Sequence, residues 1–130
     1  MDQSFIQHMD FSTEDITVAD YASAQVAVEK FSWAEESKKI EQALRQNDDF
    51  CPPGISLSRG DNQLHIFMSE PNKYSVLLTI PTKPAKKTFF SFLSSHAPQP
   101  ISYENLAWPQ IKKLLELFYQ DNFEQLKNFA

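Results

Sequence analysis

Apolar and polar residues alternate in three consecutive stretches between residues 55 and 80. The apolar positions are Ile55 and Leu57, then Leu64, Ile66 and Met68, then Tyr74, Val76, Leu78 and Ile80. A period of two places alternate side chains on one face, so each stretch predicts a strand with one buried face. Turn-forming residues separate the stretches at 59–62 and 70–72, which favours an antiparallel meander.

Helical periodicity flanks this meander on both sides. Apolar residues recur at helical spacing from Trp33 to Gln46, and Ser32 with Glu35 has the form of a capping box at the start. A second amphipathic helix is predicted from Pro109 to Asp121, because proline suits the first turn of a helix. Asn122 can then cap a third, short helix.

Other segments give weaker patterns. Residues 5–11 alternate and hint at a strand, whereas 12–20 are polar and are predicted to be irregular. Strand and helix compete over 24–31, where the alternation of the two valines favours a strand. Residues 86–95 fit either a fourth strand or a short helix. The sequence therefore predicts one α+β domain over residues 1–130, with a meander of about four to five strands packed in two layers against these helices.

Charge is distributed unevenly along the chain. The net charge is −5, yet residues 1–50 carry eleven acidic and four basic side chains. Acidic residues in this half give the candidate partner-binding set, which consists of Asp10, Glu14, Asp15, Asp20, Glu35, Glu36, Asp48 and Asp49. Such a surface either binds a basic protein or simply keeps the chain soluble. For Glu35 and Glu36, a role in the first helical turn is a sufficient alternative.

Sequence motifs for catalysis and for cofactor binding are missing. With two glycines and no G-x-G-x-x-G, G-K-[ST] or H-E-x-x-H pattern, neither an enzyme nor a cofactor is predicted. Cys51 and His65 could form a nucleophile pair, although a small loop residue and a strand residue explain them equally well. His8, His65 and His96 are too scattered to predict a metal site.

Composition also narrows the possible partners and locations. An acidic chain is a poor nucleic-acid ligand, and Lys83, Lys86 and Lys87 are interpreted as a solvated connection. The chain has no long apolar run for a membrane span and no recognisable secretory signal. A single cysteine favours a reducing compartment, so the cytoplasm is expected. Arg59-Gly60-Asp61 is interpreted as hairpin sequence rather than as an adhesive tripeptide.

Three functional hypotheses remain. The first is a bacterial immunity protein or antitoxin that blocks a basic toxin, for example a nuclease, whose active site must hold phosphates. The alternative is a cytoplasmic secretion chaperone, which would use apolar surface near Trp108 and Leu117 to hold a client. The third is a small enzyme built on Cys51 and His65. Either a monomer or a homodimer is compatible with the sequence.

Overall fold

Six strands form one sheet in the computed structural model of the protein, which describes residues 4–59, 62–79 and 101–127. The strands are β1 (Ser4–Gln7), β2 (Thr13–Ile16), β3 (Gly54–Arg59), β4 (Asn62–Glu70), β5 (Lys73–Thr79) and β6 (Ile101–Leu106). The helices are α1 (Tyr21–Lys30), α2 (Trp33–Gln46), α3 (Trp108–Tyr119) and α4 (Phe123–Lys127). Every pairing is antiparallel, in the order β2-β1-β3-β4-β5-β6.

The predicted meander is confirmed in strands β3 to β5. Ile55 pairs with Ile66, and Leu64 pairs with Leu78, so their side chains share one face of the sheet. These residues are fully buried in the same core as Ile40 of α2. The other buried core residues of the helices are Ala24, Val28, Trp33, Ile111, Leu114, Leu115, Leu117, Phe118 and Leu126. The α+β class is therefore confirmed: the helices cover one face of an antiparallel sheet.

Residues 24–30 belong to helix α1 and Phe31 is its C-cap residue, so the strand favoured by the valine alternation is wrong. Asp20 caps α1 by accepting a hydrogen bond from the Ser23 amide, and Ser23 accepts one from the Asp20 amide. Ala24 and Val28, four residues apart, are buried on the same side of the helix. The capping box and the alanine content outweighed a short alternation.

Residues 13–16 form strand β2, although the polar stretch 12–20 was predicted to be irregular. Its sequence is Thr-Glu-Asp-Ile, in which the two acidic residues disfavour a strand and only the terminal Thr and Ile favour one. This segment is a strand because it pairs with β1, and the pairing was not evident from the sequence pattern. Charged side chains on a short edge strand discourage further strand pairing. This strand and β6 raise the sheet above the predicted four to five strands.

Both longer helices lie close to their predicted positions. Helix α2 begins at Trp33 and ends at Gln46, and α3 includes Pro109 in its first turn. Ser32 is the N-cap residue of α2, but its side chain makes no capping hydrogen bond in the described structure. The predicted capping box at Ser32 is therefore wrong. The cap before α4 is present, since the Gln125 amide donates to the Asn122 side chain.

Strand β3 begins at a glycine because β4 approaches it closely. A Cβ atom on Gly54 would lie 2.1 Å from the carbonyl oxygen of Ile66. No side chain fits at that distance, so Gly54 allows the chain that follows α2 to enter the middle of the sheet. The ambiguous segment 86–95, the lysine cluster Lys83, Lys86 and Lys87, and His96 lie outside the described residues.

Candidate protein-binding site

The structure exposes seven of the eight candidate acidic residues and buries Glu36. The exposed ones are Asp10, Glu14, Asp15, Asp20, Glu35, Asp48 and Asp49. They lie on β2, at the start of α1 and α2, and in the loops that follow β1 and α2. The set is therefore not a single helix face, and the question is which members come together.

The turn that joins β1 to β2 is closed by its own hydrogen bonds. The His8 amide donates to the Ser12 carbonyl over 2.9 Å, and the Phe11 amide donates to the His8 carbonyl over 3.1 Å. Asp10 accepts hydrogen bonds from the amide and the hydroxyl of Ser12. These bonds lower the pKa of Asp10 below its usual value, so its carboxylate stays ionised in mildly acidic solution.

The loop after α2 is tied to this turn. The Cys51 amide donates to the Met9 carbonyl over 3.0 Å, and Asp48 and Asp49 lie just before Cys51 in the chain. Helix α2 ends at Gln46, and its C-cap residue Asn47 has a left-handed backbone that turns the chain out of the helix. The backbone hydrogen bond holds the loop that carries Asp48 and Asp49 next to the turn that carries Asp10.

An open cavity lies between the β1–β2 turn and α2. Its volume is about 430 Å³, and it is lined by His8, Met9, Asp10, Ser12, Glu36 and Lys39. We refer to the turn His8–Ser12, the residues Glu36 and Lys39, and the loop Asn47–Cys51 as the acidic corner. Excluding the histidine, two carboxylates and one ammonium group face the cavity. A cation is therefore the ligand that this corner favours electrostatically.

Glu36 has an unusual position for a carboxylate. The residue is only 9% exposed. One carboxylate oxygen, Oε1, lies 3.5 Å from the Lys39 ammonium group. The other oxygen, Oε2, is buried and has no hydrogen-bond partner in the described structure. Buried polar atoms are normally paired, so Glu36, which lines the cavity and has one unpaired oxygen beneath its surface, is a candidate for contact with a ligand.

The remaining candidate residues have other surroundings. Glu14 lies 3.6 Å from His8, which joins it to the edge of the acidic corner. Asp20 caps α1, and its hydrogen bonds to Ser23 lower its pKa. Asp15 is exposed on β2, and Glu35 is exposed in the first turn of α2. The acidic residues that were selected by charge alone therefore do not form one site. Some belong to the acidic corner, and the others lie elsewhere on the surface or cap a helix.

Phe11, which sequence reasoning did not select, lies at the tip of the acidic corner. Its side chain is 66% exposed, and its backbone is left-handed with φ of 72°. The other described non-glycine residues with positive φ are Asn47, Asn72, Asn105 and Asp121. Those short polar residues tolerate this conformation, whereas a phenylalanine is destabilised in it. The sequence showed that Phe11 alternates with Met9, but it did not show the turn or the exposure of Phe11.

The apolar surface expected near α3 is mostly used inside the protein. Leu117 is buried in the core, and the Trp108 ring lies 5.8 Å from the Tyr74 ring. The Tyr119 ring lies 6.5 Å from the Tyr21 ring of α1. These contacts account for the apolar residues of α3 beyond a single helical stripe.

Cys51 and His65 have separate surroundings. Cys51 is half-buried beside the β1–β2 turn, whereas the His65 ring lies 6.5 Å from Phe5 and 5.3 Å from Phe67 on the sheet. Burial lowers the pKa of His65. Among the described residues, no hydrogen bond joins Cys51 to His65.

Neither a metal cluster nor a membrane helix is found within the described residues. No three His, Cys, Asp or Glu side chains are placed to hold a metal ion there. None of the four described helices is both long and apolar enough to cross a membrane.

No family model, no curated protein and no solved structure matches this chain. A functional assignment therefore depends on the geometry of the acidic corner.

Proposed function

We propose that this protein binds and neutralises a basic protein, as a bacterial immunity protein or antitoxin that covers a toxin such as a nuclease. The observation that supports the proposal is the hydrogen bond that holds a loop with exposed carboxylates next to the turn that carries Asp10 and the exposed Phe11. Asp10 belongs to the turn, and the loop with Asp48 and Asp49 is hydrogen-bonded to it.

Charge complementarity raises the rate at which such a surface associates with its partner. Exposed carboxylates attract a basic surface before contact and raise the association rate constant. A nuclease is a suitable partner because its active site must be positively charged to hold phosphates. An acidic protein that covers this site blocks the substrate without any catalytic residue of its own.

Phe11 supplies the apolar part of the contact. Aromatic side chains surrounded by polar residues are frequent energetic centres of protein interfaces. Its left-handed backbone is unfavourable by about 1–2 kcal/mol for an ordinary residue. A sequence that retains an exposed phenylalanine there is consistent with selection for contact rather than for stability.

Co-expression provides the test. The products of the genes on either side of this one are each expressed in bacteria, with and without this protein. We expect one product to arrest growth alone and to be tolerated together with this protein. Binding between the two purified proteins should weaken as salt rises, because exposed charges are screened over about 10 Å at 0.1 M. The proposal would be contradicted if no product of a neighbouring gene arrests growth, or if one does and this protein does not counteract it.

A further inference from the structure

We propose that the cavity of the acidic corner is a receptor for the guanidinium group of a partner's arginine, with Glu36 as its counter-ion. This inference rests on the proposed function and identifies the partner group that the corner would hold.

The buried oxygen of Glu36 indicates a missing hydrogen-bond donor. Oε1 is 3.5 Å from Lys39, while Oε2 is buried without a partner in the described structure. A buried carboxylate oxygen without a donor is destabilising, and a donor supplied from outside would remove that cost. Glu36 lines the cavity, so a ligand there can supply the donor once the carboxyl group rotates and turns Oε2 towards the cavity.

The chemistry of the cavity favours guanidinium over ammonium. A guanidinium group is planar, carries five N–H donors and is less strongly hydrated than an ammonium group, so it enters partly buried sites more readily. Asp10 and Ser12 of the turn also line the cavity, and their side-chain oxygens are further acceptors for those donors. An arginine can therefore bridge Glu36 on α2 and Asp10 in the turn, which a single ammonium group does less well.

Lys39 competes for the same carboxylate but can move away. Its side chain is 61% exposed, so it can leave Oε1 without losing buried contacts. Replacing it by an uncharged residue of similar length should therefore strengthen binding of a cation. This gives a variant with an effect opposite to that of removing the Glu36 charge.

The test uses small probes and the full chain. The ¹⁵N-labelled protein is titrated with N-acetyl-arginine amide at constant ionic strength, and amide chemical shifts are followed by NMR. N-acetyl-citrulline amide, which has the same shape without the charge, and N-acetyl-lysine amide serve as control ligands. We expect saturable shifts at residues 8–12 and 36–39 with the arginine probe and weaker binding of both controls.

Three variants decide whether Glu36 is responsible. Glu36→Gln should weaken binding of the arginine probe by about tenfold or more, since a charge-assisted pair is lost. Lys39→Met should strengthen it. Glu41→Gln removes the same charge from an exposed site on the same helix and should leave binding unchanged. Chemical shifts away from the substitution verify that each variant is folded.

Several results would overturn the arginine receptor. They are an absence of saturable shifts, equal binding of the citrulline or lysine probe, and equal effects of Glu36→Gln and Glu41→Gln. The proposed function is tested separately: salt-sensitive neutralisation of a toxin together with a silent Glu36→Gln variant would support the proposed function and overturn the arginine receptor. Conversely, binding of the arginine probe at Glu36 without a neighbouring gene product that is counteracted would support the receptor and argue against the proposed function.

Discussion

At the end of β3, the Arg59 guanidinium donates to the Tyr119 carbonyl over 2.9 Å, pairs with Asp121 and lies over the Tyr119 ring. At the beginning of β3, the carboxylates of the acidic corner are mostly exposed, and one oxygen of Glu36 has no partner in the described structure. We call Arg59, Tyr119 and Asp121 the arginine corner.

The difference between the two corners lies in how their charges are satisfied. The guanidinium at the arginine corner binds the carboxyl-terminal end of α3, where the helix dipole favours a positive charge. It therefore links the sheet to the helix layer. The acidic corner places like charges near one another and retains a left-handed phenylalanine. This contrast suggests that one corner contributes to folding and that the other keeps its charges for a partner.

The largest expected effect on stability is at the arginine corner. Arg59→Ala should lower the free energy of unfolding by about 2 kcal/mol, because a charge-assisted hydrogen bond to a helix end is lost. Urea unfolding followed by circular dichroism measures it. Arg45→Ala is the control, since Arg45 forms one exposed pair with Glu41 and should contribute about 0.5 kcal/mol or less. Equal losses in the two variants would show that the arginine corner is an ordinary surface pair.

A substitution at Phe11 should have a smaller effect of the opposite sign. Phe11→Asn should raise the free energy of unfolding by about 1 kcal/mol, because asparagine tolerates the left-handed backbone. The same variant should bind the partner less tightly. Asn47→Ala, at a left-handed position that already carries asparagine, should lower stability by a similar amount. If Phe11→Asn is destabilising, Phe11 is needed for the turn itself.

The neighbours Glu36 and Ser37 allow a matched comparison within α2. Ser37 accepts a hydrogen bond from the Asn72 amide over 3.1 Å, so Ser37→Ala should lower stability by about 1 kcal/mol. Glu36→Met should instead raise stability, by about 1 kcal/mol or less, because it removes an unpaired buried oxygen. Thermal unfolding of the two variants measures whether each substitution lowers or raises the stability. A loss of stability in Glu36→Met would mean that the carboxylate supports the fold.

The smallest expected effect is a pH dependence due to His65. Burial lowers its pKa in the folded state below the ordinary value of 6.5. The unfolded chain therefore binds a proton first as the pH falls, and stability should decrease below about pH 6.5. Unfolding in urea at neutral and mildly acidic pH should show this decrease in the wild type and a smaller one in His65→Gln. Identical pH profiles would mean that His65 titrates normally.

The parts of the fold that were predicted correctly have strong local patterns. Strands β3 to β5 and helix α2 repeat their apolar residues over several periods, so tertiary context did not have to decide their structure. Helix α1 was assigned wrongly because its alternating valines are a short pattern. Strand β2 was missed because pairing with β1, rather than its own residues, makes it a strand.

The candidate site was less predictable for a physical reason. Charge and sequence position identified Asp10, Glu36, Asp48 and Asp49, but they could not show that the β1–β2 turn packs beside α2. Nor could they distinguish the capping role of Asp20 from a partner-binding role. Phe11 was missed because its unfavourable backbone conformation is imposed by the folded turn and cannot be recognised from the composition of the sequence.

Stopped-flow association with the partner identified by co-expression tests the central claim most directly. Asp48→Asn with Asp49→Asn is compared with Glu104→Gln with Glu124→Gln, which removes the same charge from exposed sites in the other half of the chain. The account predicts that only the first pair slows association at low ionic strength, that the difference disappears at high salt, and that dissociation is unchanged. Equal association rates for both pairs at every ionic strength would contradict it.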